Sequence, residues 1–135
     1  MNTNKENLTG IIEFYLKNST FIKQELGYRK QTGNILQPVT VSKMCKPIPF
    51  SELDILATSV YKTADGYRGE KAEYINLRYR KNCTYDVICG LMNKKRSTVF
   101  MLGESILNDI LFNILIEDVP RKKLLNTEMK NYFVM

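Results

Sequence analysis

The sequence contains no histidine among its 135 residues. This absence excludes Ser-His-Asp and Cys-His catalysis and every metal site that needs a histidine ligand. A glycine-rich phosphate-binding loop is also missing. The nearest carboxylate pairs, Glu52 with Asp54 and Glu117 with Asp118, stand where helix ends are expected, and acidic side chains there are usually caps or solvated charge. We therefore assign no active site, cofactor or metal, and expect that the protein is not an enzyme.

Cysteine and long apolar runs are also scarce. Cys45, Cys83 and Cys89 make an odd number without a C-x-x-C pair, which is typical of reduced thiols rather than of a disulfide framework. No uninterrupted apolar run reaches the roughly 18 residues of a membrane span. The N-terminal stretch "MNTNKENLTG" lacks the charged-then-apolar plan of a signal peptide. We expect a cytoplasmic protein with no membrane partner.

Positive charge is plentiful and clustered. Lys and Arg together number 20 against 14 Asp and Glu, which gives a net charge of +6. Such an excess favours acidic partners such as nucleic acid. Within a short stretch lie Arg78, Arg80, Lys81, Lys94, Lys95 and Arg96.

The N-terminal third of the chain combines a helical pattern with a proline-containing segment. Apolar residues from Leu8 to about Lys30 follow helical spacing, with an interruption expected at Asn18 and Ser19. Residues 31–50 contain three of the four prolines and predict a linker or functional loop.

The rest of the chain also favours helices. Ser51, which precedes Glu52 and Asp54, predicts a helix start, with the end at Tyr61 or Ala64. Apolar spacing over 70–79 predicts a further helix. Pro120 is expected to end the long apolar helix before it. We thus expect an all-α protein with an N-terminal helical segment and linker over 1–50, a helical domain over 51–119 and a C-terminal tail over 120–135.

Residues 84–92 predict a short amphipathic helix. Thr84 is suited to cap its first turn. Val87, Ile88 and Leu91 are candidates for its inward face, and Cys89 supplies a small residue where a second helix would cross.

A tight turn and a second helix are predicted to follow. Asn93 tolerates the left-handed backbone that such a turn needs. Ser97, Thr98 and Val99 would open the second helix, with two short hydroxyls available for phosphates or base edges and Val99 packed beneath. Residues 94–96, "KKR", stand at its entry.

The run "YINLRYRKNCTYDVICGLMNKKRSTVF" resembles the helix-turn-helix of region four of sigma factors. It is more closely similar to that of the RinA/ArpU-like phage late-gene transcription regulators. The segment "FIKQELGYRK" and the chain length also resemble that family, so the resemblance covers most of the chain, with its specific part over residues 70–107. It implies N-terminal helices, a proline-containing linker and a C-terminal helix-turn-helix.

The resemblance also implies a function and a set of contacts. We expect a phage or mobile-element regulator that binds double-stranded DNA at a promoter and works with host RNA polymerase, as a homo-oligomer. The residues expected on DNA are Lys94, Lys95, Arg96, Ser97 and Thr98, and those expected on flanking phosphates are Arg78, Arg80 and Lys81.

Four positions depart from the family pattern. Lys95 takes the place where a serine or threonine usually caps the recognition helix. Met101 stands where an arginine is usual, and Gly103 and Glu104 stand where lysines are common. Residues 106–116 are apolar on more than one face, which suits a core helix, a dimer interface or a groove for a partner. The alternative function is therefore a protein-interaction module that binds a phage regulatory protein without binding DNA.

Overall fold

The computed structural model describes residues 3–128 and Tyr132, and the side chains from residue 5 onward. Within that part of the chain there are helices and no named strand, so the predicted all-α class is confirmed. The elements are α1 (Thr3–Lys17), α2 (Ser19–Thr32), α3 (Phe50–Ala64), α4 (Glu70–Ile75), a π-helical turn (Asn76–Arg80), α5 (Tyr85–Met92), α6 (Arg96–Leu115) and α7 (Asp118–Leu125).

The predicted interruption at Asn18 separates α1 from α2. The Asn18 side-chain amide donates to the carbonyl of Phe14 at 2.9 Å, so it does not cap the next helix. Helix α2 ends at Gly33, whose φ of 76° is left-handed and whose N–H donates to the Arg29 carbonyl. Glycine adopts that conformation without a Cβ penalty.

The segment 34–49 folds onto the helices rather than hanging free. Val39 and Ile48 form an isolated antiparallel bridge, with N–H to carbonyl distances of 2.7 and 2.8 Å. Both residues are buried, as is Cys45. The Arg29 guanidinium donates to two carbonyls near the start of the segment. The predicted linker is thus an anchored loop.

Helix α3 begins one residue earlier than predicted. It starts at Phe50, with Pro49 at the cap position, and the Leu53 N–H bonds the Pro49 carbonyl at 3.0 Å. Ser51 lies inside the first turn and its hydroxyl caps nothing. The restricted φ of proline, here −54°, suits the entry to a helix. The end at Ala64 agrees with the prediction.

Helix α6 is the centre of the core. It packs against α1, α3, α4, α5 and α7, and Ile106, Ile110 and Ile114 are fully buried. By length and composition alone it would also be long and apolar enough to cross a membrane. Of the predicted alternatives, core packing accounts for one side of the helix. Phe112 and Ile116 on the other side remain exposed.

Pro120 does not end α6, contrary to the prediction. Helix α6 stops at Leu115, and α7 begins at Asp118 with Pro120 buried in its first turn. A proline is tolerated there because the first N–H groups of a helix have no acceptor within it. Leu124, further along α7, is also buried.

Tyr132 docks on the body of the protein. Its hydroxyl lies 2.7 Å from that of Tyr15 and donates to Glu52 at 3.0 Å. Its ring meets Phe14 edge to face. The rest of the predicted C-terminal tail after Glu128 lies outside the described residues. One hydrophobic core therefore contains residues from Leu8 to Tyr132.

Candidate nucleic-acid interface

Helix α5 has the predicted cap but only part of the predicted inward face. The Thr84 hydroxyl accepts the Val87 N–H at 3.4 Å, and Ile88 is fully buried. Val87 and Leu91 are 48% and 60% exposed, so their predicted burial is wrong. A two-turn helix that packs on one side has a single inward stripe. Its partly buried members are Tyr85, Cys89 and Met92.

A tight turn joins α5 to α6 as predicted. Asn93 is left-handed, with φ 55° and ψ 51°, and the Lys94 N–H closes the end of α5 on the Cys89 carbonyl at 3.0 Å. Lys95 is extended and offers no side-chain cap to α6. Val99 is fully buried, so the first turn of α6 is fixed to the core from below.

Tyr85 brings two of the predicted cations together. The guanidinium carbon of Arg78 lies 4.5 Å from the ring centroid and that of Arg96 lies 5.7 Å from it. Arg96 also pairs with the exposed carboxylate of Asp86 at 2.5 Å. A cation over an aromatic face gains about 0.5–1 kcal/mol at an exposed site. Arg78 and Arg96 therefore form, with Tyr85, one positively charged cluster between the starts of α5 and α6, here called the positive corner.

The first turn of α6 presents polar groups to solvent. Lys95, Ser97 and Thr98 are exposed. Among the described residues, none of these three side chains has a hydrogen-bond or ion-pair partner. Two hydroxyls and one ammonium group are thus available to a ligand at this end of the helix.

The remaining predicted cations lie in different surroundings. Lys94 pairs with Glu70 at 2.6 Å and is mostly buried, so its charge is largely neutralised. Arg80 lies 3.7 Å from Asp65, at a cavity beside α2. Lys81 is exposed and has no ion-pair partner within residues 5–128. Arg78 and Arg96 thus lie together at the Tyr85 ring, whereas Arg80 lies near Asp65.

Gly103 faces the core and is not an exposed position that lost a lysine. A Cβ built on it would come within 2.5 Å of the Tyr74 hydroxyl oxygen and 2.9 Å of the ring carbon that bears it. Burial is also the main reason that the pKa of Tyr74 is raised above its ordinary value. Met101 and Glu104 are exposed, whereas Gly103 is buried.

Apolar side chains are also exposed on α5 and near the start of α6. Met101 is 69% exposed, and Phe100 next to it is also exposed. Val87 and Leu91 are exposed on α5. The sequence predicts Val87 and Leu91 as inward residues because apolar residues in a short amphipathic helix ordinarily face the core.

Comparison with known proteins gives no relative: no family model matches the chain, and no curated protein or solved structure matches it either. The resemblance stated from the sequence therefore remains a hypothesis. In the part of the chain that the structure describes, no cluster of three Cys, Asp or Glu side chains is placed to bind a metal ion.

Proposed function

We propose that the protein is a DNA-binding transcription regulator of a phage or mobile element, with α5, the turn and α6 as its helix-turn-helix. One observation carries this proposal. The first turn of α6 exposes Lys95, Ser97 and Thr98 without partners in the described chain, while Val99 fixes the same turn to the core. A rigid helix start with free donors is what major-groove recognition requires.

In this proposal α6 enters the major groove by its N-terminal turn. Ser97 and Thr98 bond phosphates or base edges, and Lys95 and Arg96 neutralise phosphates. Arg78 supports Arg96 through the shared Tyr85 ring. The protein would act at a promoter with host RNA polymerase, and as a homo-oligomer, since such regulators commonly bind paired half-sites.

The test is duplex binding by the triple variant Lys95→Ala, Arg96→Ala, Thr98→Ala. We expect the affinity for duplexes from the neighbouring genome to fall at least about tenfold. We also expect the dependence of log K on log salt to become shallower by about 1 for each cation removed. Fluorescence anisotropy between about 50 and 200 mM salt measures both quantities.

The control is a triple variant elsewhere that removes two cations and one threonine: Thr40→Ala, Lys43→Ala, Lys46→Ala. These residues are exposed in the loop over 34–49. The control should retain the affinity of the unaltered protein. If the two triple variants lose the same affinity, the DNA contacts are not specific to α6 and the proposal fails.

The exposed apolar residues of α5 and α6 favour a second candidate, a module that binds a phage regulatory protein through the same unit. Phe100 and Met101 are exposed where a DNA reader would place polar groups. Co-purification from phage-infected cells distinguishes the two functions. Under the second candidate, Phe100→Ser with Met101→Ser abolishes recovery of the regulatory protein, and recovery of DNA without a protein partner contradicts it.

A further inference from the structure

A second polar site lies at the start of α2, away from the residues assigned above except Arg80. A cavity of about 330 Å³ opens to solvent there. It is lined by Ser19, Thr20, Lys23, Gln24 and Arg80. The cavity joins residues that are separated by some sixty positions in the chain, so it is created by the fold.

Ser19 is the observation that points to a ligand. The residue is only 8% exposed, and its hydroxyl has no hydrogen-bond partner among the described residues. A helical serine commonly bonds the carbonyl four residues earlier, but the Tyr15 carbonyl already accepts the Tyr61 hydroxyl at 2.7 Å. No described side-chain oxygen is both enclosed and unpaired. The Ser19 hydroxyl therefore reaches the cavity that the residue lines.

Helix α2 starts beside that hydroxyl, and the N–H of Ile22 in its first turn is already bonded to the Asn18 carbonyl at 2.9 Å. Helix α2 is 14 residues long, and the Asn18 side chain turns back to Phe14 instead of capping it. The first N–H groups of a helix have no acceptor within it, and they carry the positive end of the helix dipole. Such a helix start attracts anions when other donors converge on it.

Two cations complete the lining. Lys23 pairs with Asp65 at 2.8 Å, while Arg80 lies 3.7 Å from the other oxygen of the same carboxylate. One carboxylate thus faces two positive charges, which leaves a net positive charge. Arg80 donates no hydrogen bond within the described chain, so its guanidinium N–H groups remain available. Arginine and lysine are the usual partners of phosphate oxygens.

We propose that this cavity is an oxyanion site that binds a phosphate group. The Ser19 hydroxyl and the first amides of α2 donate to its oxygens, and Lys23 and Arg80 balance its charge. The phosphate would come from a free phosphorylated compound or from the backbone of bound DNA. The site does not depend on the proposed function, because a free phosphate can bind whether or not the protein binds DNA.

Amide NMR spectra during titration with inorganic phosphate test the site directly. We expect saturable shifts at the amides of Ser19, Thr20 and Phe21, and none when the same ionic strength is supplied by chloride. Equal shifts with both salts, or no saturable shift at these amides, would overturn the proposal.

Variants identify the groups responsible. Ser19→Ala should weaken phosphate binding about tenfold, since a hydrogen bond to a charged group is lost, and Lys23→Gln with Arg80→Gln should abolish it. The matched control is Lys30→Gln with Lys62→Gln, which removes two cations paired with Asp54 and Glu117 on other surfaces. The control should bind phosphate normally. An equal loss in the control would show a general charge effect and contradict the site.

A duplex-binding arm separates the two phosphate sources. If the source is DNA, Ser19→Ala with Lys23→Gln lowers the salt dependence of duplex binding and inorganic phosphate competes with duplex. If the source is a free compound, the same variant loses phosphate binding and keeps duplex affinity; either result supports the site. A protein that binds phosphate but no duplex retains this site and contradicts only the proposed DNA-binding function.

Discussion

Gly103 allows α6 to approach the buried ring of Tyr74. The space for a methyl group is absent, because a Cβ would lie 2.5 Å from the Tyr74 hydroxyl oxygen. In the sequence this glycine reads as a weak point in a helix. Its neighbour Tyr74 lies 29 positions earlier, and only the fold shows their contact.

Overpacking a core costs about 1–3 kcal/mol because neighbours are forced to shift, and alanine recovers about 1 kcal/mol in a helix interior. We therefore expect Gly103→Ala to destabilise the protein by up to about 2 kcal/mol. Urea unfolding measures the difference. The matched control is Gly27→Ala in α2, where no atom lies within 4 Å of the added Cβ. The control should gain stability, and a stabilised Gly103→Ala would show that the contact is not tight.

Asp109 ties α6 to the residues around α4. Its carboxylate accepts the Lys71 ammonium group at 2.8 Å and the Tyr67 hydroxyl at 2.9 Å. The hydrogen bond from Lys71 is the main reason that the pKa of Asp109 is lowered, and the bond from Tyr67 acts in the same direction. The ionised form is therefore favoured in the folded protein.

This lowered pKa predicts a specific acid dependence. A carboxylate whose folded pKa is depressed adds stability above the unfolded pKa of about 3.9, and that stability is lost as the pH falls below it. Asp109→Asn should be less stable than the unaltered protein at pH 7, by less than about 1 kcal/mol because the group is partly exposed. The gap should close in strong acid.

Unfolding by urea at several pH values measures that gap. Glu104→Gln is the control, since Glu104 is an exposed carboxylate of the same helix with no ion pair among the described residues. Its stability should follow that of the unaltered protein throughout. A gap for Asp109→Asn that persists unchanged in acid would exclude the ion pair as its cause.

At the scale of helices, the sequence predicts caps and turns, but it does not predict which side of a helix packs against the rest of the protein. The predicted cap at Thr84 and the predicted left-handed turn at Asn93 are correct, because both depend mainly on the residues themselves. The predicted inward direction of Val87 is wrong, because contacts with α6 and the π-helical turn determine which side of α5 packs. The sequence does not predict α7, because Pro120 favours a helix end, although a first helical turn accepts proline.

At the scale of the whole molecule, Tyr132 connects the C-terminal segment to α1 and α3. Its hydroxyl is the partner of the fully buried Tyr15 hydroxyl. We expect Tyr132→Phe to lower the free energy of unfolding by about 1–3 kcal/mol, because the Tyr15 hydroxyl would remain buried without its bond. Urea unfolding again provides the measurement.

Tyr28→Phe is the matched control for this link. Tyr28 is exposed on α2, and its hydroxyl makes no hydrogen bond with the described residues. It should therefore change stability by less than about 0.5 kcal/mol. If both substitutions have equal and small effects, the contact of Tyr132 with Tyr15 contributes nothing measurable to the fold.

The distinction between local sequence signals and contacts formed by the fold also applies to the candidate sites. The sequence placed Arg78 and Arg96 in one cationic cluster, but it could not show that the Tyr85 ring joins them. It gave no signal for Ser19 beyond the helix break at Asn18. Charge density can be read along a chain, whereas the partner of each charge depends on contacts between distant segments.

Because the loop over 34–49 is anchored at its base, the chain could be opened at the tip of this loop without cutting a helix. Val39 and Ile48 close the base of the loop, while Ser42 and Lys43 at its tip are exposed. Asn7 on α1 bonds the Thr127 carbonyl at 3.4 Å, so α1 lies beside the segment that follows α7. A circular permutant that begins at Lys43 and ends at Ser42 would open the chain between α2 and α3 and leave each described helix whole.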